Sequence, residues 1–302
     1  MQFPIVSLFI PAYNDQIDLL SCLESLRRLN YPKDKMEIII WDNASTDATV
    51  EMVRKKFVEM EKDDWLQLRL IEWNNNEGTY IPYNLALKHL SSQSPYLLGL
   101  DADVELSEDL LVDLLHAAQA GSVAVVGARS VYYDNPSLTS HGAGYVNRWT
   151  GLYSDKDSET RIECDYVIGC CWLLNRGAFE KLGGFDPDYY ISHWEVDYCL
   201  RAKNLGYRIL YEPKAIARHK IQAGGKLIPR RIYYLYRNKI MLIKKTFHCP
   251  AKWIALACHL ALGLPKAIYD SCRRNKGYDG MEIRTILRAV RDGWLNQTGQ
   301  SL

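Results

Sequence analysis

The sequence predicts an α/β fold: a doubly wound, mostly parallel sheet followed by a basic helical C-terminal appendage. Three observations predict it. Over the first hundred residues, short apolar runs rich in β-formers alternate with stretches of helical periodicity. Each of those runs ends in a polar cluster, and in parallel sheets ligands bind beyond the carboxyl ends of the strands. The charge then changes sign. Across residues 214–276 fifteen bases face a single acid, Asp270, for a net +14, whereas the whole 302-residue chain carries +1.

The elements follow in order. "IVSLFIPAYN" (5–14) is a strand that Pro11 ends, and residues 15–29 place Leu19, Leu20, Leu23 and Leu26 on one helix face. "MEIIIWDNASTD" (36–47) is a second buried strand ending in acids. A helix over 46–57 then has Ser45 or Thr46 as its cap. "LQLRLIEW" (66–73) alternates as a third strand, "GTYIPYNLALKHL" (78–90) is a helix after a glycine, and "PYLLGL" (95–100) is the fourth strand. A helix over 109–120 and a strand over 123–130 come next. Residues 132–163, rich in Tyr, Gly, Asp and Ser, are loops or a small hairpin over the site. "YVIGCCWLLN" (166–175) leads into a helix over 176–182 that Gly183 and Gly184 stop, followed by a helix over 195–205 and a strand over 208–212.

Polar residues gather at four strand ends: Asn14 and Asp15, Asp42 and Asn43, Asn74 to Asn76, then Asp101 and Asp103. The last pair closes "YLLGLDADVEL". Side chains two apart on a strand point the same way, so both carboxylates face one ligand. Like charges that close repel unless something positive sits between them, and hard divalent cations take oxygen ligands. Capping of the following helix is the alternative use of such a pair.

Composition narrows the classes. With 48% hydrophobic and 24% charged residues the chain is ordinary globular material. No run of 18 apolar residues occurs, so no membrane span is expected, and the N-terminus lacks a basic n-region and cleavage site. Eight cysteines include no CxxC pair, which reads as reduced thiols in a cytoplasmic protein. A nucleotidyltransferase would want a Gly-rich, basic phosphate loop after the first strand; "PAYNDQ" has none. No nucleic acid partner is expected.

The pieces "SLFIPAYND", "IIIWDNASTDAT", "NNNEG", "LDADVEL", "GCCWLLNRGAFEKLGGFDPDYY", "WEVDYCLRAKNLGYRI" and "RHK", in this order, resemble the inverting glycosyltransferases of family 2, over about residues 4–240. "YYLYRNKIMLIKK" (233–245) resembles the bacterial subset that elongates surface polysaccharides, rhamnosyltransferases among them. The resemblance implies a GT-A fold, with a nucleotide-sugar-binding and catalytic domain over 1–225 and a basic helical region over 226–302. It implies transfer of a sugar from a UDP-, dTDP- or GDP-linked donor to a saccharide or lipid-linked acceptor, with inversion, in cell-surface polysaccharide or glycolipid assembly.

Residue by residue, Asp42 matches the acid that accepts the base's imide N–H and Asp15 the acid on the ribose, while Pro11 and Tyr13 wall the base and Asn76 lies in the donor site. Asp101 and Asp103 match the family's DxD motif. Asp103 would bind Mn²⁺ or Mg²⁺, Asp101 would sit nearer the ribose, and His219 would be a further metal ligand. Glu195 stands where the catalytic base stands in the family, although Trp194 replaces the usual first acid of that motif. Gly169, Cys170, Trp194 and Asp197 fall where the acceptor or sugar pocket is lined, Asp197 being expected to hold Arg201 or a loop rather than to do chemistry; Arg237 and Asn238 could reach the diphosphate, with solvated or membrane-facing positions as the alternative.

Finally, "WIALACHLALGL" (253–264) is too short to span a bilayer and is flanked by Lys244, Lys245, Lys252, Lys266, Arg273, Arg274 and Lys276. That pattern predicts peripheral attachment to an anionic membrane, on the inner face of the cell membrane. A helical hairpin packed on the catalytic domain is the alternative.

Overall fold

A computed structural model of the chain describes residues 3–78, 80–221, 229–274 and 280–300. Lys226 and Lys276 of the basic segment lie outside them. The N-terminal half follows the expected alternation. Strand β1 (Val6–Ala12), helix α1 (Asp18–Arg27), β2 (Met36–Asp42), α2 (Thr49–Met60), β3 (Gln67–Glu72), α3 (Tyr80–Ala86) and β4 (Tyr96–Leu100) give the parallel order β3-β2-β1-β4. β2 is buried along its whole length because helices cover both faces, and such strands read as unbroken apolar runs. The register ends Ala12, Asp42 and Glu72 level with one another, so the polar residues that follow emerge at one sheet edge.

The expected cap of α2 is not used. Ser45 and Thr46 precede the helix, which starts at Thr49, and its N-cap position holds Ala48. The Ser45 hydroxyl instead accepts from Asn14 N (2.9 Å), and Thr46 N donates to Asn14 Oδ1 (2.8 Å), lacing the loops after β1 and β2 together. α3 is also shorter than the 78–90 pattern suggested.

Beyond β4 the chain adds β5 (Val104–Leu106), α4 (Leu110–Ala118), β6 (Val123–Tyr132), β7 (Thr139–His141), β8 (Ala143–Val146), β9 (Tyr153–Lys156) and β10 (Ile162–Glu163). It continues with β11 (Cys171–Asn175), α5 (Arg176–Leu182), α6 (Trp194–Asn204) and β12 (Arg208–His219). Here the mostly parallel expectation gives way to a mixed sheet, in the order β10-β12-β6-β11-β4-β1-β2-β3. β11 lies antiparallel between β4 and β6. A parallel return needs a crossover, usually helical. None separates β6 from β11, so the chain wanders at one edge through the hairpin β8–β9 and re-enters in the opposite sense. Gly183 and Gly184, both at positive φ, end α5 as expected.

β12 runs seven residues past the expected end at Glu212. A register irregularity between Glu212 and Ile216 absorbs Pro213, and the strand resumes against β5 and β6 as far as His219.

The C-terminal part is helical: α7 (Pro229–Thr246), α8 (Ala251–Cys258), a π turn (His259–Gly263), α9 (Leu264–Arg274) and α10 (Gly280–Trp294). α7 buries Ile240, Met241, Leu242 and Ile243 in the same apolar cluster as Trp172 and Tyr198. The outer helices differ: Trp253, Ile254, Leu262, Tyr269, Met281, Leu287, Trp294 and Leu295 are exposed. Residues Ala251–Arg273 form one helix long and apolar enough to cross a membrane, with 22% of its most apolar stretch buried. The thiols divide the same way. Cys22, Cys164, Cys170, Cys171 and Cys199 are buried in the sheet domain, while Cys249, Cys258 and Cys272 on the helical part are exposed or half-exposed.

Candidate active site

Two clefts open at the polar sheet edge, one on each side of residues 190–193. The first, about 440 Å³, is lined by Pro11, Tyr13, Asp15 and Asn76, as the sequence suggests, and also by Asn43, Tyr190, Ile191 and Arg230. Asp15 is held from both sides: its Oδ2 accepts from Tyr13 N (2.7 Å) and its own N–H donates to Thr49 Oγ1 (3.0 Å). Burial raises its carboxyl above the ordinary range; the Tyr13 bond opposes this, and Asp103, Asp18 and Asp47 add to it. Gly78 of "NNNEG" allows the wall to close. At φ +80°, it lies where a Cβ would come within 3.0 Å of the Tyr190 carbonyl. Asp42 is buried behind the lining. Its Oδ2 accepts from Ser45 N (3.1 Å), and its Oδ1 is buried without a partner among the described residues.

At the floor of this cleft stand Asp101, Asp103 and His219. Asp101 N donates to Cys170 O (2.9 Å) just past β4, and Lys220 N donates to Asp103 O (3.1 Å), which fixes the turn between β4 and β5. The pairing His219↔Val104 sets the imidazole beside the carboxylates, with Nε2 at 3.2 Å from Asp103 Oδ1 and 4.0 Å from Asp101 Oδ2. Burial pushes the Asp101 carboxyl up to about 7; His219 opposes the shift, while Asp103, Glu195 and Asp15 reinforce it. For His219 burial works downward but is outweighed by hydrogen bonding to Asp103 and Cys170, which takes it up to about 11. One ligand atom from each of the three residues lies within 4.8 Å of the others. Two carboxylates and an imidazole suit Mg²⁺ or Mn²⁺ in charge and donor type.

The second cleft, about 200 Å³, holds Glu195 with Tyr153 and Tyr166, His141 and Arg231, Ser192 and His193. The Glu195 Oε2 is shielded from solvent and has no hydrogen-bond partner among the described residues. Burial raises its carboxyl, against the pull of its own backbone N–H, His141 and Arg231. The hairpin β8–β9 stands over this cleft through Tyr153 and Asp155, as the small hairpin expected in residues 132–163 would. Arg231 makes no ion pair among the described residues.

Several expected site residues lie elsewhere. Asp197 is fully buried and, as expected of it, holds Arg201 (Nε–Oδ2 2.7 Å), and Trp194 packs among Tyr83, Trp172 and Phe185. The helical repeat dictates this: residues 194, 197, 198 and 201 share one face of α6, which turns to the core while Glu195 and Val196 face the cleft. Gly169 faces Trp194, since a Cβ there would meet its ring at 2.8 Å, and Cys170 is buried in the main core. Neither lines either cleft. Arg237 is fully buried rather than near the diphosphate position. It donates to Gly299 O (2.7 Å), Asp188 O (3.3 Å) and Asn238 Oδ1 (2.9 Å) and lies over the rings of Tyr233 and Tyr234. The cations that do reach the clefts, Arg230 and Arg231, begin the same helix and carry no distinguishing signal within a segment so rich in bases.

Comparison with known proteins fits this geometry. The chain is 24% identical over 228 residues to "Glycosyltransferase AglE" of Haloferax volcanii, covering 76% of this chain and 71% of the relative. It is 23% identical over 273 residues to the N-acetylglucosaminyl-diphospho-decaprenol L-rhamnosyltransferase of Mycobacterium tuberculosis, covering 80% and 86%. Among solved structures, the mannosyltransferase PcManGT from Pyrobaculum calidifontis, in complex with GDP-Man and Mn²⁺, superposes with a TM-score of 0.62 at 20% identity, over 98% of this chain and 87% of that one. The fold is therefore GT-A, with a helical C-terminal region. The profile of glycosyl transferase family 2 matches residues 7–183, more than half the chain and the span that carries β1 to β4 and both carboxylates facing His219, and the chain belongs to that family.

Proposed function

We propose that this glycosyltransferase transfers its sugar with inversion and depends on a divalent cation held by Asp103 and His219, with Asp101 beside it. The observation that carries the reading is the division of the polar edge. A cation-binding trio and a cleft of nucleotide size lie on one side, and a shielded carboxylate without a partner lies on the other. Mn²⁺ or Mg²⁺ bound at the trio would neutralise a diphosphate leaving group. PcManGT, crystallised with GDP-Man and Mn²⁺, supports a nucleotide diphospho-sugar in the first cleft.

In that pose Asp15 takes ribose hydroxyls, Pro11 and Tyr13 flank the base, Asn43 meets its edge with Asp42 behind it, and Arg230 is the cation near the diphosphate. The acceptor hydroxyl enters beside Glu195. Its oxygen bonds to the anomeric carbon on the face opposite the diphosphate, its proton passes to the carboxylate, and the bond from carbon to phosphate oxygen breaks. A carboxyl raised by burial is a stronger base than an exposed one.

The acceptor is a saccharide or a lipid-linked saccharide, and the chain works at the cytoplasmic face of the cell membrane. Support comes from the exposed Trp253, Ile254 and Leu262 with Lys252 and Arg273 nearby, and from a relative whose name includes a decaprenol diphosphate. The test is hydrolysis and transfer from UDP-glucose, UDP-GlcNAc, GDP-mannose and dTDP-rhamnose, with Mn²⁺ and with chelator. Turnover of none of them, or equal turnover in chelator, refutes the proposal.

A further inference from the structure

Residues 190–193 form the wall between the two clefts. Tyr190 and Ile191 line the donor side, and Ser192 and His193 line the side with Glu195. The wall has an unusual backbone. Ser192 (φ +64°) and His193 (φ +69°) are consecutive non-glycine residues in the left-handed region. Such residues cost on the order of 1–3 kcal/mol each and persist only where their surroundings enforce them.

The ordinary device for holding a helix start is missing here. His193 is the N-cap of α6 but makes no side-chain cap bond, and its buried Nδ1 has no partner among the described residues. The restraint comes from α7. Asn238 Nδ2 donates to Ile191 O (2.7 Å) and to Ser192 O (2.9 Å). The amide cannot turn round, because its Oδ1 accepts from Arg237 Nε (2.9 Å), and Arg237 is itself held by Gly299 O and Asp188 O. Asn238 is fully buried, and no other donor to either carbonyl is found among the described residues. One side chain therefore satisfies both carbonyls of the wall.

We infer that Asn238 is a positioning residue for transfer: by gripping Ile191 O and Ser192 O it holds the wall in its left-handed form and so aims Glu195, three residues beyond Ser192, at the acceptor cleft. The inference rests on the reading of Glu195 as the base. Without the amide, two buried carbonyls lose their donor and the wall relaxes toward ordinary backbone angles. The first turn of α6 then rotates with it. Misplacement of a catalytic group by about 1 Å lowers turnover by roughly 10²-fold.

The experiment uses the full chain as wild type, N238A, N238D and E195Q, with whichever of UDP-glucose, UDP-GlcNAc, GDP-mannose and dTDP-rhamnose the wild type turns over fastest in Mn²⁺. Asp at 238 keeps the volume and the contact with Arg237 but presents an oxygen to the two carbonyls. The variant thus separates hydrogen-bond donation from packing and stands in for N238A should that variant fail to fold. Both variants should lower kcat by on the order of 10²-fold while the donor dissociation constant stays within about threefold. Hydrogen exchange over residues 189–197 should quicken at least tenfold, with β1 to β4 unchanged. Wild-type kcat and wild-type exchange in N238D overturn the inference, as does a loss of donor affinity equal to the loss of turnover. If E195Q keeps wild-type turnover, the base reading has failed, and exchange over 189–197 in N238D still decides whether the clamp exists.

Discussion

Replacing Arg237 distinguishes a donor-site arginine from a structural one. The guanidinium is fully buried, and two of its bonds, to Gly299 O and Asn238 Oδ1, are short. Hydrogen bonds from a charged donor contribute about 1.5–3 kcal/mol each, so the two together bracket roughly 3–6 kcal/mol. Gly299 is only half-buried, so water can replace a lost donor there, which favours the lower half, about 4 kcal/mol for Arg237→Ala. Unfolding entropy near 2.1 cal/mol/K per residue gives roughly 0.63 kcal/mol/K for 302 residues, so Tm should fall by about 6 °C. Arg237→Lys keeps the charge but not the fork, and should lose about half as much. Calorimetry gives the Tm, and titration of the donor with Mn²⁺ gives its affinity, which should stay within about twofold because Arg237 lies in neither cleft. Wild-type Tm in Arg237→Lys together with donor binding weakened more than tenfold would return the residue to the diphosphate and refute the reasoning.

Four further outcomes are expected. Glu195→Gln should keep donor affinity and lose about 10²- to 10⁴-fold in transfer; near wild-type transfer moves the base elsewhere. Burial raises the Glu195 carboxyl, and a base works only when deprotonated, so the acid limb of turnover should lie at higher pH than for an exposed glutamate. Of the charged groups acting on it, His141 and Arg231 favour the carboxylate, so Arg231→Ala should move the limb further up; a downward move contradicts the assignment. Asp103→Ala and His219→Ala should each weaken Mn²⁺ binding by at least about 10-fold, measured by electron paramagnetic resonance of the free ion, with Tm little changed. Full-length protein should float with anionic vesicles at low salt, and Trp253→Glu with Leu262→Glu should remove the part of the binding that survives high salt. Lys244 and Lys245 are poor targets for charge reversal there, because they are engaged with Trp294 O and with Asp186 and Asp188.

The parts legible in the sequence share a physical cause. β1, β2 and β4 are covered on both faces, so they read as unbroken apolar runs, and the sheet edge turns polar where the ligand sits. Asp101 and Asp103 were visible for that reason. β12 was legible only to Glu212, because Pro213 looks like an end until a partner strand shows that the ladder resumes beyond it. Strands β7 to β10 are two to four residues long, too short to show a period. Trp194 was misplaced because adjacency in sequence was read as adjacency in the pocket, whereas a helix turns each neighbour by about 100°; the hold of Asp197 on Arg201 was expected and is seen. Arg237 and Asn238 were noticed, but their partners are backbone carbonyls, which leave no trace in a side-chain pattern.

The division of the thiols makes the molecule chemically addressable in one part only. Burial pushes the Cys164 thiol up to about 12 and raises those of Cys22, Cys171 and Cys199 as well, which suppresses the thiolate that maleimides and oxidants attack. Cys249, Cys258 and Cys272 stand on the outer helices, in or beside the apolar helix. An environment-sensitive dye added to the unaltered chain would therefore collect on that region and brighten or quench as it meets lipid. The catalytic sheet would stay unlabelled, and turnover could be followed in the same sample.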